Sequence, residues 1–297
     1  MTARERGFLL LSSELGVTGR KVLTAAQLRT LAGRVQSAQW GEPNRDLQMA
    51  DLMALGYGKD MAQRILVLLE DEALLAYYCQ RGKKSGCYPL SRVTAGYPEA
   101  LHQALGWESP GCLWYKGDLS LLQLPKIALV GSRDLERANE AFARELGRQA
   151  ALQGYALVSG NARGADKTAQ NACLEAGGKV ISIVADALTG HPQQAHMLYL
   201  SEDDFDAPFS AQRAISRNRV IHALGEMTFV AQCGYQTGGT WDGTVKNLRF
   251  GWSNVFCFDD GSEAAQHLVD MGASPITPAA LSNLNALPVK NRNLFDQ

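Results

Sequence analysis

No stretch of this chain approaches the roughly 20 consecutive apolar residues that a membrane-spanning helix needs, so no membrane partner is expected. Nor is there an excess of positive charge. Among the 297 residues, 29 Lys and Arg stand against 30 Asp and Glu, for a net charge of −1. Strongly basic nucleic-acid binders are thereby excluded, and any affinity for a polyanion has to come from a local patch. Candidate patches are Lys83 with Lys84, Arg133 with Arg137, Arg213 with Arg217 and Arg219, and Lys246 with Arg249. The six cysteines form no CxxC pair, which argues against a structural zinc site or a disulfide framework and for reduced thiols in the cytoplasm. Glu14 interrupts the first apolar stretch too early for a signal peptide. The usual catalytic signatures are also missing. There is no GxxxxGK[ST], HExxH, GxSxG or GxGxxG, and His191 with His196 lacks further ligands. No metal, cofactor or catalytic residue is therefore assigned.

What is present is concentrated in two loops separated by one helical pattern. The first is Val130-Gly131-Ser132-Arg133, and the second is Ser159-Gly160-Asn161-Ala162-Arg163-Gly164-Ala165-Asp166. Each ends an apolar run on a Gly and a hydroxyl residue, offers an arginine and leads into a helix. Glycine allows close backbone approach, and free amides at a helix start, aided by the macrodipole, favour an anion. A third glycine-rich turn, Thr237-Gly238-Gly239-Thr240, follows a later strand and again puts amides at a helix start.

The periodicity places strands at 126–131, 155–160, 179–184, 227–231 and 254–258. The helix after the first carries Leu135, Ala138, Phe142, Leu146 and Ala150 on one stripe; the next presents Ala165, Ala169, Ala172 and Ala176. Alternating strands and helices predict an α/β fold, an extended Rossmann-like, doubly wound and mainly parallel sheet. Before it, residues 1–82 read as a small all-α, SAM-like or helix-hairpin-helix-like domain, with a hairpin at Leu55-Gly56-Tyr57-Gly58-Lys59. Residues 83–125, rich in Gly, Pro and aromatics, read as a connector docked over one sheet edge. The Rossmann-like domain then spans 126–276, and 277–297 form a tail. Arg217-Asn218-Arg219 falls in one helix before the strand at 227. Arg213 and Arg217 sit one turn apart and could share a polyanion, while Asn218 interrupts an apolar stripe and suits a bond to nearby backbone.

Taken in order, these motifs resemble the DNA-processing protein A family (DprA, also called Smf). The resemblance runs from about residue 50 to 276. It rests on Tyr97-Pro98-Glu99-Ala100-Leu101, Leu113-Trp114-Tyr115-Lys116-Gly117-Asp118-Leu119, the two loops, Ser201-Glu202, Arg217-Asn218-Arg219-Val220-Ile221 and Gly272-Ala273. It implies a non-enzymatic, cytoplasmic protein that binds single-stranded DNA, typically as a homodimer. Such a protein helps load a RecA-type recombinase during natural transformation and DNA recombination. By motif, Ser132, Arg133, Ser159, Gly160, Arg163, Arg217 and Arg219 would line the phosphate pocket, with Gly131, Gly164, Asn218, Gly238, Gly239 and Thr240 completing the candidate set.

Some features depart from the family pattern. The stretch Ala185-Asp186-Ala187-Leu188-Thr189-Gly190-His191-Pro192-Gln193 lacks the basic residue usual there, and Asp186, Asp203, Asp204 and Asp206 add charge that would oppose a DNA backbone. A divergent relative without a C-terminal winged-helix domain is expected. The alternative reading is a sensor of a small nucleotide, for instance in defence against foreign DNA. An enzyme reading rests on the likeness of 237–244 to the loop of nucleotide phosphoribohydrolases, but Val245, Lys246 and Asn247 supply no acid. On the DNA-binding reading, Ala at Arg133 or Arg217 is expected to weaken binding without unfolding the chain.

Overall fold

The computed structural model describes residues 1–38 and 46–289, so the last eight residues of the expected tail lie outside it. Five helices come first: α1 (Ala3–Ser12), α2 (Ala25–Ser37), α3 (Met49–Ala54), α4 (Lys59–Glu70) and α5 (Glu72–Lys84). Thr2 and Thr24 start α1 and α2 with reciprocal capping boxes to Glu5 and Gln27. The expected hairpin is the α3–α4 turn. Gly56 takes φ +82°, and the Arg34 guanidinium of α2 sits 4.5 Å from the Tyr57 ring centre. That turn packs against a neighbouring helix.

The remaining elements are β1 (Tyr88–Ser91), α6 (Glu99–Leu105), β2 (Cys112–Gly117), β3 (Lys126–Val130), α7 (Arg137–Leu152), β4 (Ala156–Ser159) and α8 (Ala165–Glu175). They continue with β5 (Lys179–Ile183), β6 (Met197–Ser201), α9 (Ala211–Ser216), α10 (Asn218–Leu224), β7 (Met227–Val230), α11 (Gly238–Phe250), β8 (Asn254–Phe258), α12 (Glu263–Asp270) and β9 (Ser274–Ile276). The described strands form one sheet in the order β1-β2-β6-β5-β4-β3-β7-β8-β9. Pairing is parallel from β6 to β9 and antiparallel where β2 meets β1 and β6. The Rossmann-like, doubly wound fold is thus the observed one.

Alternation along the strands sends side chains to two cores. Ile127, Leu129, Leu157 and Phe229 face Phe142 and Leu146 of α7, Ala165 and Ala169 of α8, and Leu75 and Tyr78 of α5. Ala128, Val130, Val158 and Ile181 face Leu101 of α6, Val220 and Leu224 of α10, and Leu268 of α12. A third cluster, including Leu31, Leu52 and Ile65, holds the first four helices together.

Three sequence expectations change. The segment 83–125 does not merely cover the sheet edge; it contributes β1 and β2, with Trp114 opposite Ser201 and Lys116 opposite Tyr199. Strand β2 is buried on both faces over most of its length, so its residues show no alternation to read. For the same reason β6, buried at all five positions, was missed. The helix expected through Arg217 breaks into α9 and α10 at that residue, where Val220 N–H bonds the Arg217 carbonyl three residues back. Finally, two of the four acidic residues expected to oppose DNA are structural fasteners. Asp204 accepts from Ser13 Oγ and the Gly16 amide, both at 2.6 Å, and Asp206 pairs with Arg81 at 2.8 Å and accepts from Tyr78 Oη. They tie α1 and α5 to the loop after β6.

Candidate anion-binding site

The chain leaves β3 toward β4 on one side, while β7 pairs with β3 on the other, so the loops after β3 and β7 diverge. Such a switch point, at the carboxyl ends of parallel strands, is where open α/β sheets bind ligands. The two loops are laced together: the Ser132 amide bonds the Gln232 carbonyl at 2.9 Å, Thr240 Oγ1 donates to the Gly131 carbonyl at 3.0 Å, and Gln232 Oε1 accepts from the Glu136 amide. Gly164, at φ +83°, caps α8 so close to this lacing that a Cβ would lie 2.4 Å from the Ser132 carbonyl oxygen.

Beside it, over the ends of β4 and β5, lies a cavity of about 330 Å³ walled by Arg133, Gly160, Arg163, Asp186, Phe209 and Arg217, among others. Arg217 forms its floor. Its side chain lies against Gly160, where a Cβ would sit 1.8 Å from Nη1, so only glycine admits the guanidinium. Nη1 donates to the Ile183 carbonyl at 2.6 Å, while the buried Nε has no partner among the described residues. Burial lowers the Arg217 pKa, opposed by the nearby carboxylates of Asp166 and Asp186. Arg133 adds a second, exposed guanidinium close enough to repel it. Arg163 is exposed and paired with exposed Asp134 at 2.8 Å, a contact that solvent makes weak and a competing anion can displace.

The loop amides behave differently from expectation. Asp166, in the first turn of α8, folds back to accept from the Ala162 amide at 3.0 Å and from Gly160. Burial raises the pKa of this carboxyl, offset by Arg217 and those amides. A chain carboxylate therefore already fills part of the nest expected for a ligand, and attraction for an outside anion falls to the guanidinium groups. Asn161 holds the turn at φ +60°, a conformation Asn tolerates, with Oδ1 buried and unpartnered among the described residues.

Of the thirteen candidates, the structure brings Arg133, Gly160, Arg163 and Arg217 around this cavity. Gly131, Ser132 and Gly164 shape its rim from behind. Ser159 is buried, its hydroxyl accepting from Gln170 Nε2 at 2.6 Å in a bond network with Ser182, so its side chain cannot reach a ligand. Arg219 points to the other side of α10, pairing with Glu202 at 2.5 Å and bonding the Glu108 carbonyl at 2.8 Å. Arg213 likewise pairs with Asp203 and does not join Arg217 in a shared fork. Gly238, Gly239 and Thr240 start α11 away from the cavity. Asn218 Nδ2 donates to the Gly239 carbonyl at 2.9 Å, the backbone bond its place in the apolar stripe suggested. Asn218→Ala will cost about 1 kcal/mol by removing this bond between α10 and α11, read as a shift in urea midpoint; an unchanged midpoint would remove its structural role.

Sequence reasoning missed Asn161 and Phe209 as site residues and named Asp186 only as a charge opposing DNA. Asn161 had a signal, an Asn directly after Gly in a turn. Phe209 had a weaker one, a lone large aromatic between Pro208 and Ser210 that ends up 58% exposed. Among the described residues, no group of three or more His, Cys, Asp or Glu stands together as metal ligands, and no helix is long and apolar enough to cross a membrane.

A doubly wound sheet with buried and exposed arginines meeting over its carboxyl edge defines a Rossmann-like α/β protein with a candidate anion site at that edge. Within that class the chain belongs to the DNA recombination-mediator protein A family, which matches residues 90–281. It is 30% identical over 189 residues to the DNA processing protein DprA of Streptococcus pneumoniae, covering 58% of this chain and 65% of that one. It is 29% identical over 184 residues to protein Smf of Escherichia coli, covering 57% and 49% respectively. The chain thus spans about half to two thirds of the length of these relatives. The fold is that of the S. pneumoniae protein's crystal structure, with a TM-score of 0.74 at 24% identity over 97% of this chain and 99% of that one. A structure of DNA processing protein A from Helicobacter pylori, described for its single-stranded DNA binding mode, matches with a TM-score of 0.56 at 22% identity, over 66% of this chain and 94% of that one.

Proposed function

We propose that this chain binds single-stranded DNA through its phosphates at the Arg133–Arg217 cavity and acts in DNA processing and recombination without catalysing a reaction. The observation that carries this reading is the convergence of Arg133, Arg163 and Arg217 on one cavity at the carboxyl edge of the sheet. Guanidinium groups match phosphate geometry and read no base, so binding is tolerant of sequence. Family membership supports the DNA-processing role, and by the same token a homodimer in the cytoplasm that passes its strand to a RecA-type recombinase.

The test is a salt titration with an oligonucleotide and a mononucleotide side by side. Affinity for the oligonucleotide will fall steeply with rising salt as counterions are released. Arg133→Ala will shrink the salt slope by about one unit and leave the melting temperature unchanged, because the side chain is exposed. A mononucleotide that binds tightly where the oligonucleotide does not would replace this reading with the nucleotide sensor. Turnover of nucleotide or DNA that copurifies with the protein would replace it with an enzyme.

A further inference from the structure

A second and larger cavity, about 640 Å³, opens on the other side of the 208–219 segment, between the first helices and the sheet's carboxyl edge. Phe209 lines both cavities. Their chemistry differs. In the larger one each arginine already has a partner. Arg219 holds Glu202 and the Glu108 carbonyl, Arg213 holds Asp203 at 3.4 Å and the Pro208 carbonyl, and Arg92 bonds Ser109 while lying 4.6 Å from the Trp107 ring centre. The carboxylates of Glu202 and Asp203 neutralise Arg219 and Arg213, and Arg92 is held by Ser109 and the Trp107 ring, so a phosphate finds less free positive charge here than beside Arg133 and Arg217. Its walls offer flat apolar surface at Phe8, Trp107 and Phe209. It also offers an acceptor: the Glu202 side chain is 91% buried, and Oε1 has no hydrogen-bond partner among the described residues. The last torsion of a Glu side chain is soft, so the carboxylate can turn that oxygen toward an entering N–H.

We infer that the larger cavity is a nucleobase subsite, which takes an amino-bearing base from the strand whose phosphate sits in the Arg133–Arg217 cavity. Phe209 is the shared wall, and the base stacks on it. The inference rests on the single-stranded DNA reading and deepens it. Phosphate and base are separated by one sugar, and the two cavities meet at the Phe209 ring, which lines both. Ala214 and Arg217 line the smaller cavity and Arg213 and Ser216 the larger, so neighbouring residues of one short segment wall both subsites. Cytosine and adenine present an exocyclic amine as donor where thymine presents an acceptor, so a carboxylate discriminates between them. A phosphate would meet Glu202 and Asp203 there and be repelled.

The experiment compares three oligonucleotides of equal length on the full chain, oligo-dC, oligo-dT and an abasic deoxyribose-phosphate strand, with dCMP as a fourth probe. Oligo-dC is expected to bind about three- to tenfold more tightly than oligo-dT, and both more tightly than the abasic strand. Glu202→Gln will bring the dC to dT ratio close to one. Phe209→Ala will weaken both base-bearing strands by more than the abasic strand and keep the salt slope, since stacking releases no counterion. Phe209 is exposed, so this variant folds even if Glu202→Gln does not. Equal affinity for all three strands, with a normal salt slope, overturns the base subsite and leaves the DNA-binding reading standing. Absence of binding to every strand overturns that reading and this inference together. Tight binding of dCMP that oligo-dC cannot displace overturns the assignment of the base to a strand.

Discussion

Arg217→Ala will lower the free energy of unfolding by about 1–3 kcal/mol and remove most of the affinity for single-stranded DNA at low salt. This differs from the expectation drawn from the sequence, in which Arg217 was an exposed contact whose loss would spare the fold. The guanidinium is 6% exposed, lies against Gly160, and donates to the Ile183 carbonyl at the end of β5. Removing it strands that carbonyl and leaves the Asp166 carboxylate, 7% exposed, without the cation that opposes its burial. Arg217→Lys separates the two losses. An ammonium keeps the charge facing Asp166, so the variant stays folded, but it has no planar fork for a phosphate and binding weakens more than tenfold (about 1.4 kcal/mol). Urea unfolding and oligonucleotide titration of both variants check this. Wild-type stability in Arg217→Ala would show that the buried guanidinium contributes nothing to the fold.

The second large effect is a loss of stability in mild acid caused by His222. This histidine is fully buried in α10; Nδ1 accepts from Asn247 Nδ2 at 3.0 Å, which puts the ring proton on Nε2, where no partner is found among the described residues. Burial pushes its pKa down to about 3. An unfolded chain titrates near the ordinary value of about 6.5. Between about pH 6.5 and pH 3 the unfolded state therefore binds a proton that the native state refuses, and stability drops as the pH falls through that window. Above pH 6.5 the contribution is fully present.

Asp203 works in the opposite direction. Burial raises its carboxyl to about 6, so the native state takes up a proton first and loses stability as pH rises through about 4 to 6. Comparing wild type with His222→Gln cancels the Asp203 contribution. The difference in unfolding free energy between them will change by about 2–3 kcal/mol from pH 6.5 to 4.5, wild type being the one that falls. A difference that stays constant with pH would mean that His222 takes up its proton as readily in the folded protein as in the unfolded chain.

The legible part of this chain was the part in which local pattern and tertiary role agree. Strands β3, β4, β7 and β8 were readable because each is a short apolar run followed by a turn and an amphipathic or small-residue helix, and β5 because its apolar run follows the Gly177-Gly178 stop of α8. The loops at Gly131 and Gly160 were readable because glycine marks where backbone has to pass close to something else. Strands β1, β2, β6 and β9 were not, since β2 and β6 are buried on both faces with no α-helix directly following to frame them, and β9 is three residues long. Neither case leaves a period to detect.

For the site, the sequence by itself determined that arginines would follow the glycine turns at the carboxyl edge of a parallel sheet. That follows from chain order and strand direction alone. Which arginine faces which cavity was decided only by the tertiary structure. Arg217 and Arg219 are two residues apart at the start of one short helix, so their side chains leave in different directions, one under Gly160 and the other to Glu202. Whether a hydroxyl such as that of Ser159 meets a ligand or another side chain, and whether the amides around Ala162 stay free or bind Asp166, depends on residues brought in from other strands and turns. The physical reason is that a sequence fixes what each group can donate or accept, whereas partners are assigned only when packing decides which groups lose contact with water.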